Sequence, residues 1–191
     1  MTDETLLERM VGGDEAAFLT LYERHRGPVF RFAYRLLGSA DMAEDVAHDC
    51  FLSLIRGSHG FDPSRASLRT YLYGAARNLA MKQFRRNGRE SAVEELAEEP
   101  RAPAREGPLA RLLGEELSSQ VAMAVAGLSP LQREALILFE YEELTLAEIA
   151  LIVGADVGTV KARLHRARRG LREWLAPYLT GEEVPAGRSS G

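Results

Sequence analysis

At 191 residues, with 46% hydrophobic and 27% charged side chains, the chain has room for one large or two small cored domains and an ordinary globular composition. No apolar run reaches membrane-spanning length, the acidic start Met1-Thr2-Asp3-Glu4 is unlike a signal peptide, and the single cysteine, Cys50, excludes an internal disulfide and fits a reducing cytoplasm. The net charge of −4 excludes a generally basic coat, so any positive surface has to be local.

Strand signals are nearly absent, and the chain reads as all-α. Leu6, Leu7 and Met10 predict a short opening helix that stops at Gly12-Gly13; Asp14 starts the next, with Phe18, Leu21 and Tyr22 on its apolar side. Gly27-Pro28 breaks the pattern, and Pro28 suits the first turn of a further helix carrying Val29, Phe30, Phe32, Ala33, Leu36 and Leu37 to Gly38. Asp41 is the expected cap of the following helix, with Glu44 at the capping-box position. Met42, Ala43, Val46, Ala47, Cys50, Phe51, Leu54 and Ile55 supply its buried sides, which leaves Glu44, Asp45, His48 and Asp49 together. By pattern alone that cluster is a solvated acidic face.

Residues 57–67 read as a loop containing Phe61, and a helix is predicted from Leu68 to about Arg86. Leu68, Leu72, Ala75, Ala76 and Leu79 form its apolar stripe; the opposite arc carries Thr70, Gly74, Arg77, Asn78, Met81 and Arg85, flanked by Tyr73 and Phe84. Basic residues interleaved with aromatics suit single-stranded nucleic acid, whose bases stack on rings while arginines follow the backbone. Aromatics closing the edges of a helical bundle fit that stretch equally well.

Periodicity fails after Asn87, and the run from Ser91 to Pro108 holds five glutamates, two arginines and three prolines, the composition of a flexible or extended acidic linker. Helical signal resumes near Leu109 through Leu113, Leu117, Val121, Ala124 and Val125. Ser129-Pro-Leu-Gln132 marks another helix start, and Leu131, Ala135, Leu138 and Phe139 continue from it. Thr145 caps a short helix with Glu148 at the box position, Gly154 ends it, and Asp156 caps the last helix.

That last helix sorts its side chains. Val160, Leu164, Ala167, Leu171, Trp174 and Leu175 share one face, and Gly158, Lys161, Ala162, His165, Arg166, Arg169 and Arg172 the other, with Arg163 and Arg168 at the borders. Six Lys or Arg and no carboxylate lie between Thr159 and Arg172. A short helix, a glycine turn and a second helix with an acid-free basic face form a helix-turn-helix, which sets its second helix in the major groove of DNA. The four histidines are scattered, and His48 beside Cys50 lacks the further ligands a zinc site needs, so no metal or cofactor is expected and no catalytic set is present.

Two small helical domains joined by an acidic linker, with a helix-turn-helix last, resemble the extracytoplasmic function (ECF) sigma factors of bacterial RNA polymerase. Ala43-Glu-Asp-Val-Ala-His-Asp-Cys-Phe51 is similar to the family's Ala-Glu-Asp-x-x-Gln-Glu-x-Phe block, and Arg69-Thr-Tyr-Leu-Tyr-Gly-Ala-Ala-Arg-Asn-Leu-Ala80 to its Trp-Leu-x-x-Ile-Ala-x-Asn segment. Leu128-Ser-Pro-Leu-Gln-Arg-Glu-Ala135 and the stretch from Gly158 to Arg168 are close to the pattern of the second domain. Four positions depart from the common pattern: His48 for Gln, Tyr71 for Trp, Lys82 for Asp and Ala162 for Ser.

The resemblance implies a division into residues 1–89 (docking on core polymerase and the minus-ten element), 90–108 (linker), 109–180 (helix-turn-helix, minus-thirty-five element) and 181–191 (disordered tail). It implies that Glu44, Asp45, His48 and Asp49 dock on the clamp helices of the polymerase's largest subunit. It implies minus-ten contacts by Phe61, Arg69, Tyr73, Arg77, Asn78 and Arg85, and minus-thirty-five contacts by Thr159, Lys161, Ala162, Arg163, His165, Arg166 and Arg169. The partners would be core polymerase and promoter DNA, the location cytoplasmic, and the role binding rather than catalysis; an anti-sigma protein is a further partner that the sequence leaves open. The main alternative is a free-standing helix-turn-helix regulator with an N-terminal sensing or dimerisation domain, and an enzyme with an appended DNA-binding domain lacks any candidate site.

Overall fold

The computed structural model describes residues 1–57, 61, 65–86 and 112–180, and among these the only regular structure is helical. The expected linker 90–108 and tail 181–191 lie outside the described residues. Helix α1 (Asp3–Val11) starts where the Thr2 hydroxyl accepts the Thr5 amide at 3.3 Å, and ends at Gly12. Asp14 then accepts the Ala16 and Ala17 amides at 3.0 and 3.2 Å and starts α2 (Glu15–Leu37).

The expected break at Gly27-Pro28 does not occur, because α2 runs through Pro28 as one helix of 23 residues. Leu21, His25, Val29, Phe32 and Leu36 are buried at helical spacing on both sides of the proline. Burial of that continuous stripe outweighs the backbone hydrogen bond that Pro28 cannot donate. Gly38, at φ 73°, closes the helix in the left-handed region. Helix α3 (Ala40–Gly57) also starts earlier than expected: Asp41 lies in its first turn, and the Ser39 hydroxyl accepts the Met42 amide at 3.4 Å.

Helix α4 (Leu68–Arg86) departs most from its sequence pattern. Thr70, Tyr73, Met81 and Phe84, expected on or beside the open arc, are buried along with Leu68, Leu72, Ala76 and Ala80. The reason is that α4 is covered from two sides, by α2 and α3 on one and by the second helical unit on the other.

That second unit comprises α5 (Leu112–Gly127), α6 (Pro130–Leu136), α7 (Leu146–Val153) and α8 (Val157–Thr180). Ser129 holds the cap position of α6 without a side-chain hydrogen bond, and Pro130 opens the helix. Between α6 and α7 the chain widens into a π-helical stretch, Ile137–Tyr141, which the sequence pattern did not show. Thr145 and Glu148 form the expected capping box of α7, and Gly154 ends that helix at φ 65°. Helices α5, α6 and α7 pack on α8, burying Val160, Leu164 and Ala167. Contacts of α4 with α7, and of α2 with α5, α6 and the π stretch, join the two units around one continuous apolar core.

Asp156 starts α8 as expected: its carboxylate accepts the Thr159 amide at 2.9 Å and the Thr159 hydroxyl at 2.7 Å. The hydroxyl first, then the amide, hold that carboxyl below its ordinary value of 3.8. A depressed folded pKa means that the cap's contribution is complete above the unfolded value and is lost as pH falls through the folded one. Asn caps helices but does not titrate in this range. Between about pH 6 and about pH 3 the urea midpoint of the wild type should therefore fall further than that of Asp156→Asn. Equal losses in both proteins would remove Asp156 from the acid response.

Candidate nucleic-acid interface

Helix α8 presents the basic face its sequence describes. Gly158, Lys161, Ala162, His165, Arg166, Arg169 and Arg172 are all exposed, opposite the buried Val160, Leu164 and Ala167. Arg169 pairs only with Glu173 one turn on, at 3.4 Å with both side chains more than half exposed, a pair that water and salt weaken. Beside this face runs a cleft with Phe139, Leu146, Leu164 and Leu171 on its apolar side and Lys161, His165, Arg168 and Arg172 on its basic side.

The border residues are held. Arg163 donates to Glu134 at 3.2 Å and is largely buried. Arg168 donates twice to Glu140, at 2.6 and 3.1 Å, and lies over the Phe139 ring at 5.1 Å. The Thr159 hydroxyl is spent on Asp156. Of the residues expected to contact the minus-thirty-five element, Lys161, Ala162, His165, Arg166 and Arg169 are therefore open, while Thr159 and Arg163 have internal partners.

On α4 the expected minus-ten residues divide the same way. Asn78 and Arg85 are exposed. Phe61 packs edge-on against Tyr71, ring centres 5.3 Å apart, and so is anchored rather than free to stack. Arg69, Tyr73 and Arg77 turn into the second unit. Arg77 donates to both oxygens of Glu134, at 2.8 and 3.3 Å; the Tyr73 hydroxyl donates to the Glu142 carboxylate, and Arg69 donates to the Glu142 carbonyl. Burial, and then the hydrogen bond to Glu142, push the Tyr73 phenol up, so it stays a neutral donor. Tyr73 also meets Phe32 edge-on at 5.3 Å.

On α3, Glu44, Asp45, His48 and Asp49 are exposed and make no ion pair among the described residues. The same helix buries Cys50, whose thiol donates to the Leu72 carbonyl at 3.4 Å and is pushed up to about 12 by burial. It is a packing residue. No group of side chains suited to holding a metal occurs among the described residues, and none of their helices is long and apolar enough to cross a membrane.

Sequence reasoning missed the carboxylates that organise this surface. Glu134 is fully buried between Arg77 of α4 and Arg163 of α8. Its position was legible, since it lies three residues after Leu131 and four before Leu138, on the apolar stripe. Burial pushes its carboxyl up, and Arg77 and then Arg163 pull it back down. Glu142, by contrast, sits in the run Glu140-Tyr-Glu-Glu143, which reads as a solvated acidic turn; nothing local marks it as buried. Replacing Glu134 with Ala would leave two half-desolvated guanidinium groups without their counter-ion. The loss should be roughly 3 kcal/mol, read from urea denaturation. A change below about 0.5 kcal/mol, the level of ordinary surface substitutions, would mean that the triad carries no stability.

Comparison with known proteins finds the same family in both helical units. Residues 21–90 match the family model for sigma-70 region 2, and residues 118–171 match that for sigma-70 region 4. The chain is 33% identical over 171 residues to the ECF RNA polymerase sigma factor SigE of Mycolicibacterium smegmatis, covering 87% of this chain and 65% of that protein. To the ECF RNA polymerase sigma-E factor of Escherichia coli strain K12 it is 31% identical over 187 residues, covering 94% of this chain and 97% of that one. Among solved structures it is similar to the sigma factor RpoE of Bartonella quintana, determined with the anti-sigma factor NepR. That likeness has a TM-score of 0.63 and 28% identity over 83% of this chain and 96% of the other. With its region 2 and region 4 helices in place and its likeness running nearly end to end, this chain belongs to the sigma-70 family, as an ECF sigma factor that directs RNA polymerase to promoters.

Proposed function

We propose that two exposed faces of opposite charge divide the work of this sigma factor. The acidic face of α3, formed by Glu44, Asp45, His48 and Asp49, docks on the clamp helices of the largest subunit of core polymerase. Helix α4 and the residue Phe61 take the unstacked minus-ten strand, through Arg69, Tyr73, Arg77, Asn78 and Arg85. Helix α8 takes the minus-thirty-five duplex in its major groove. Residues 1–89 and 109–180 are the two functional units, and residues 90–108 thread toward the polymerase active centre and RNA exit path, a channel built for a polyanion. The protein works in the cytoplasm by binding, and the polymerase performs the chemistry. The Bartonella quintana relative was solved with an anti-sigma factor, and a protein of that kind is the regulator we propose here.

The observation that supports this reading most is the separation of charge. In a chain of net charge −4, the free cations of α8 share one face and the free carboxylates of α3 share another. Reversing Asp45 and Asp49 to Lys would bring like charges together across the polymerase interface, which costs several kcal/mol. The double variant should keep its helicity and lose association with purified core polymerase. Undiminished affinity would remove the docking role from α3.

Helix α8 admits a finer test. Arg166 stands open on the exposed face, whereas Arg168 is already drawn toward Glu140 at the border. Base contacts specify and phosphate contacts position. In complex with core polymerase, Arg166→Ala should cost about 1–3 kcal/mol at particular minus-thirty-five bases and relax preference there. Arg168→Ala should weaken binding to most promoters alike and flatten the salt dependence by about one unit of slope. A base-by-base scan of the upstream element distinguishes them; matching specificity profiles would defeat the assignment of faces.

A further inference from the structure

The outer face of α2 carries cations and rings outside the surfaces described for α3, α4 and α8. Between Glu23 and Asp41 the sequence holds four arginines, one histidine and no carboxylate. Gly27, Arg31, Tyr34 and Gly38 recur at helical spacing opposite the buried stripe of Leu21, His25, Val29, Phe32 and Leu36, and Arg24 and Arg35 fall on the same side. Arg24 at one end is taken by Asp3, and Arg35 at the other lies 3.4 Å from the Glu142 carboxylate and over the Tyr141 ring at 4.5 Å. Arg31, between them, is exposed and has no ion pair among the described residues.

Two local features shape this face. A Cβ at position 27 would come within 3.2 Å of Nη1 of Arg31, so the guanidinium rests where Gly27 has no side chain. Glycine inside a helix is less favourable than alanine, and here it gives the arginine its seat. One turn on from Phe30, the Tyr34 ring stays 48% exposed, with the two rings 12° from parallel and their centres 6.1 Å apart. The buried side of the helix is fixed: Phe32 meets Tyr73 edge-on at 5.3 Å, and α2 packs on both α3 and α4. Arg31 and Tyr34, three residues apart, are therefore presented together on a packed three-helix body.

We propose that the outer face of α2 is a further contact for single-stranded promoter DNA, with the Tyr34 ring stacking on an unpaired base and the Arg31 guanidinium meeting a phosphate beside it. Charge complementarity argues for a polyanion, since this face has no carboxylate in a chain whose net charge is −4. The rings argue for a single strand. In a duplex each base face is covered by its neighbours, whereas an unpaired strand offers its bases for stacking while its backbone follows the arginines. The unpaired polyanion that a promoter-directing factor meets at initiation is the melted promoter strand. Stacking of this kind tolerates any base, so the contact adds hold and not sequence preference. It draws on the promoter-directing role of the chain and on no residue of α4 or α8.

The test uses the full chain in complex with core polymerase, on a promoter carrying a pre-melted, mismatched bubble. Tyr34→Ala should shorten the lifetime of that complex about tenfold, whereas Tyr34→Phe, which keeps the ring, should match the wild type. Arg31→Ala should lower the slope of log affinity against log salt by about 0.7, the value for one single-strand phosphate, and Arg31→Lys should restore it. 5-Iodouracil, which cross-links to an aromatic ring stacked on it, is placed at successive positions of each strand. Cross-linking to α2 is expected at an unpaired position and should vanish in Tyr34→Ala. Binding of each variant to core polymerase without DNA should stay at the wild-type level, with helicity unchanged. A tenfold loss of that binding would make α2 a protein-docking face and overturn the proposal. A wild-type lifetime in a folded Tyr34→Ala protein overturns it as well, and so do cross-links to α2 confined to paired positions.

Discussion

The Glu134 carboxylate has no exposed surface, and the way it is neutralised sets the arrangement of the second unit. Removing an ionised carboxylate from water costs several kcal/mol unless partners replace the lost hydration. Arg77 reaches both of its oxygens from α4, and Arg163 reaches one from α8. The carboxylate therefore fixes where α8 lies relative to α6 and, through Arg77, where both lie relative to α4. An apolar side chain in its place would permit several registers of helix on helix. Two guanidinium forks converging on one carboxylate permit few.

This arrangement also sorts the cations of a chain whose net charge is negative. Arginines at element borders, Arg69, Arg77, Arg163 and Arg168, are matched to Glu142, Glu134 and Glu140. Those on the distal face of α8, Lys161, Arg166, Arg169 and Arg172, are left to solvent or to weak pairs. Positive potential is thereby gathered on the outer face of α8, away from the buried carboxylates. The same sorting decides reach. A cation already drawn into a carboxylate has to give up that bond to contact DNA, and a solvated one gives up only water.

Much of this was legible in the sequence. The caps at Asp14, Thr145 and Asp156, the glycine stops at Gly38 and Gly154, and the two faces of α8 follow from local rules, and local rules hold there because these features depend on neighbours within a turn or two. The misreadings share one cause. Pro28 suggested a break, but a stripe of buried residues on both sides of it carries the helix through. Tyr73 and Phe84 were placed at the edges of an open arc, yet a second layer of helices covers them, and a one-helix pattern cannot announce a cover such as Glu142, which lies 69 residues beyond Tyr73 in the chain. Glu142 is the extreme case, an acidic turn whose burial depends wholly on Tyr73, Arg69 and Arg35. Glu134 stood on an apolar stripe, where a buried carboxylate signals partners to be found; its own sequence neighbourhood does not contain them.

The two local rules broken in the second unit fall next to each other, and this adjacency has a physical reading. A π-helical stretch over Ile137–Tyr141 and a left-handed Glu143 are both unfavourable by themselves, and no glycine or proline between Leu136 and Leu144 explains either. An α-helix continued through Tyr141 would rotate Glu142 away from α4 by the angle that the wider turn absorbs, and an extended Glu143 would carry α7 off α4. Each irregularity thus has its return in a contact between units: the first in the Glu142 carboxylate meeting Tyr73, the second in α7 packing on α4. Natural chains depart from local preference where something distant compensates. Here the compensation is the packing of the two units itself, so the strained turn and the interface between units stand or fall together.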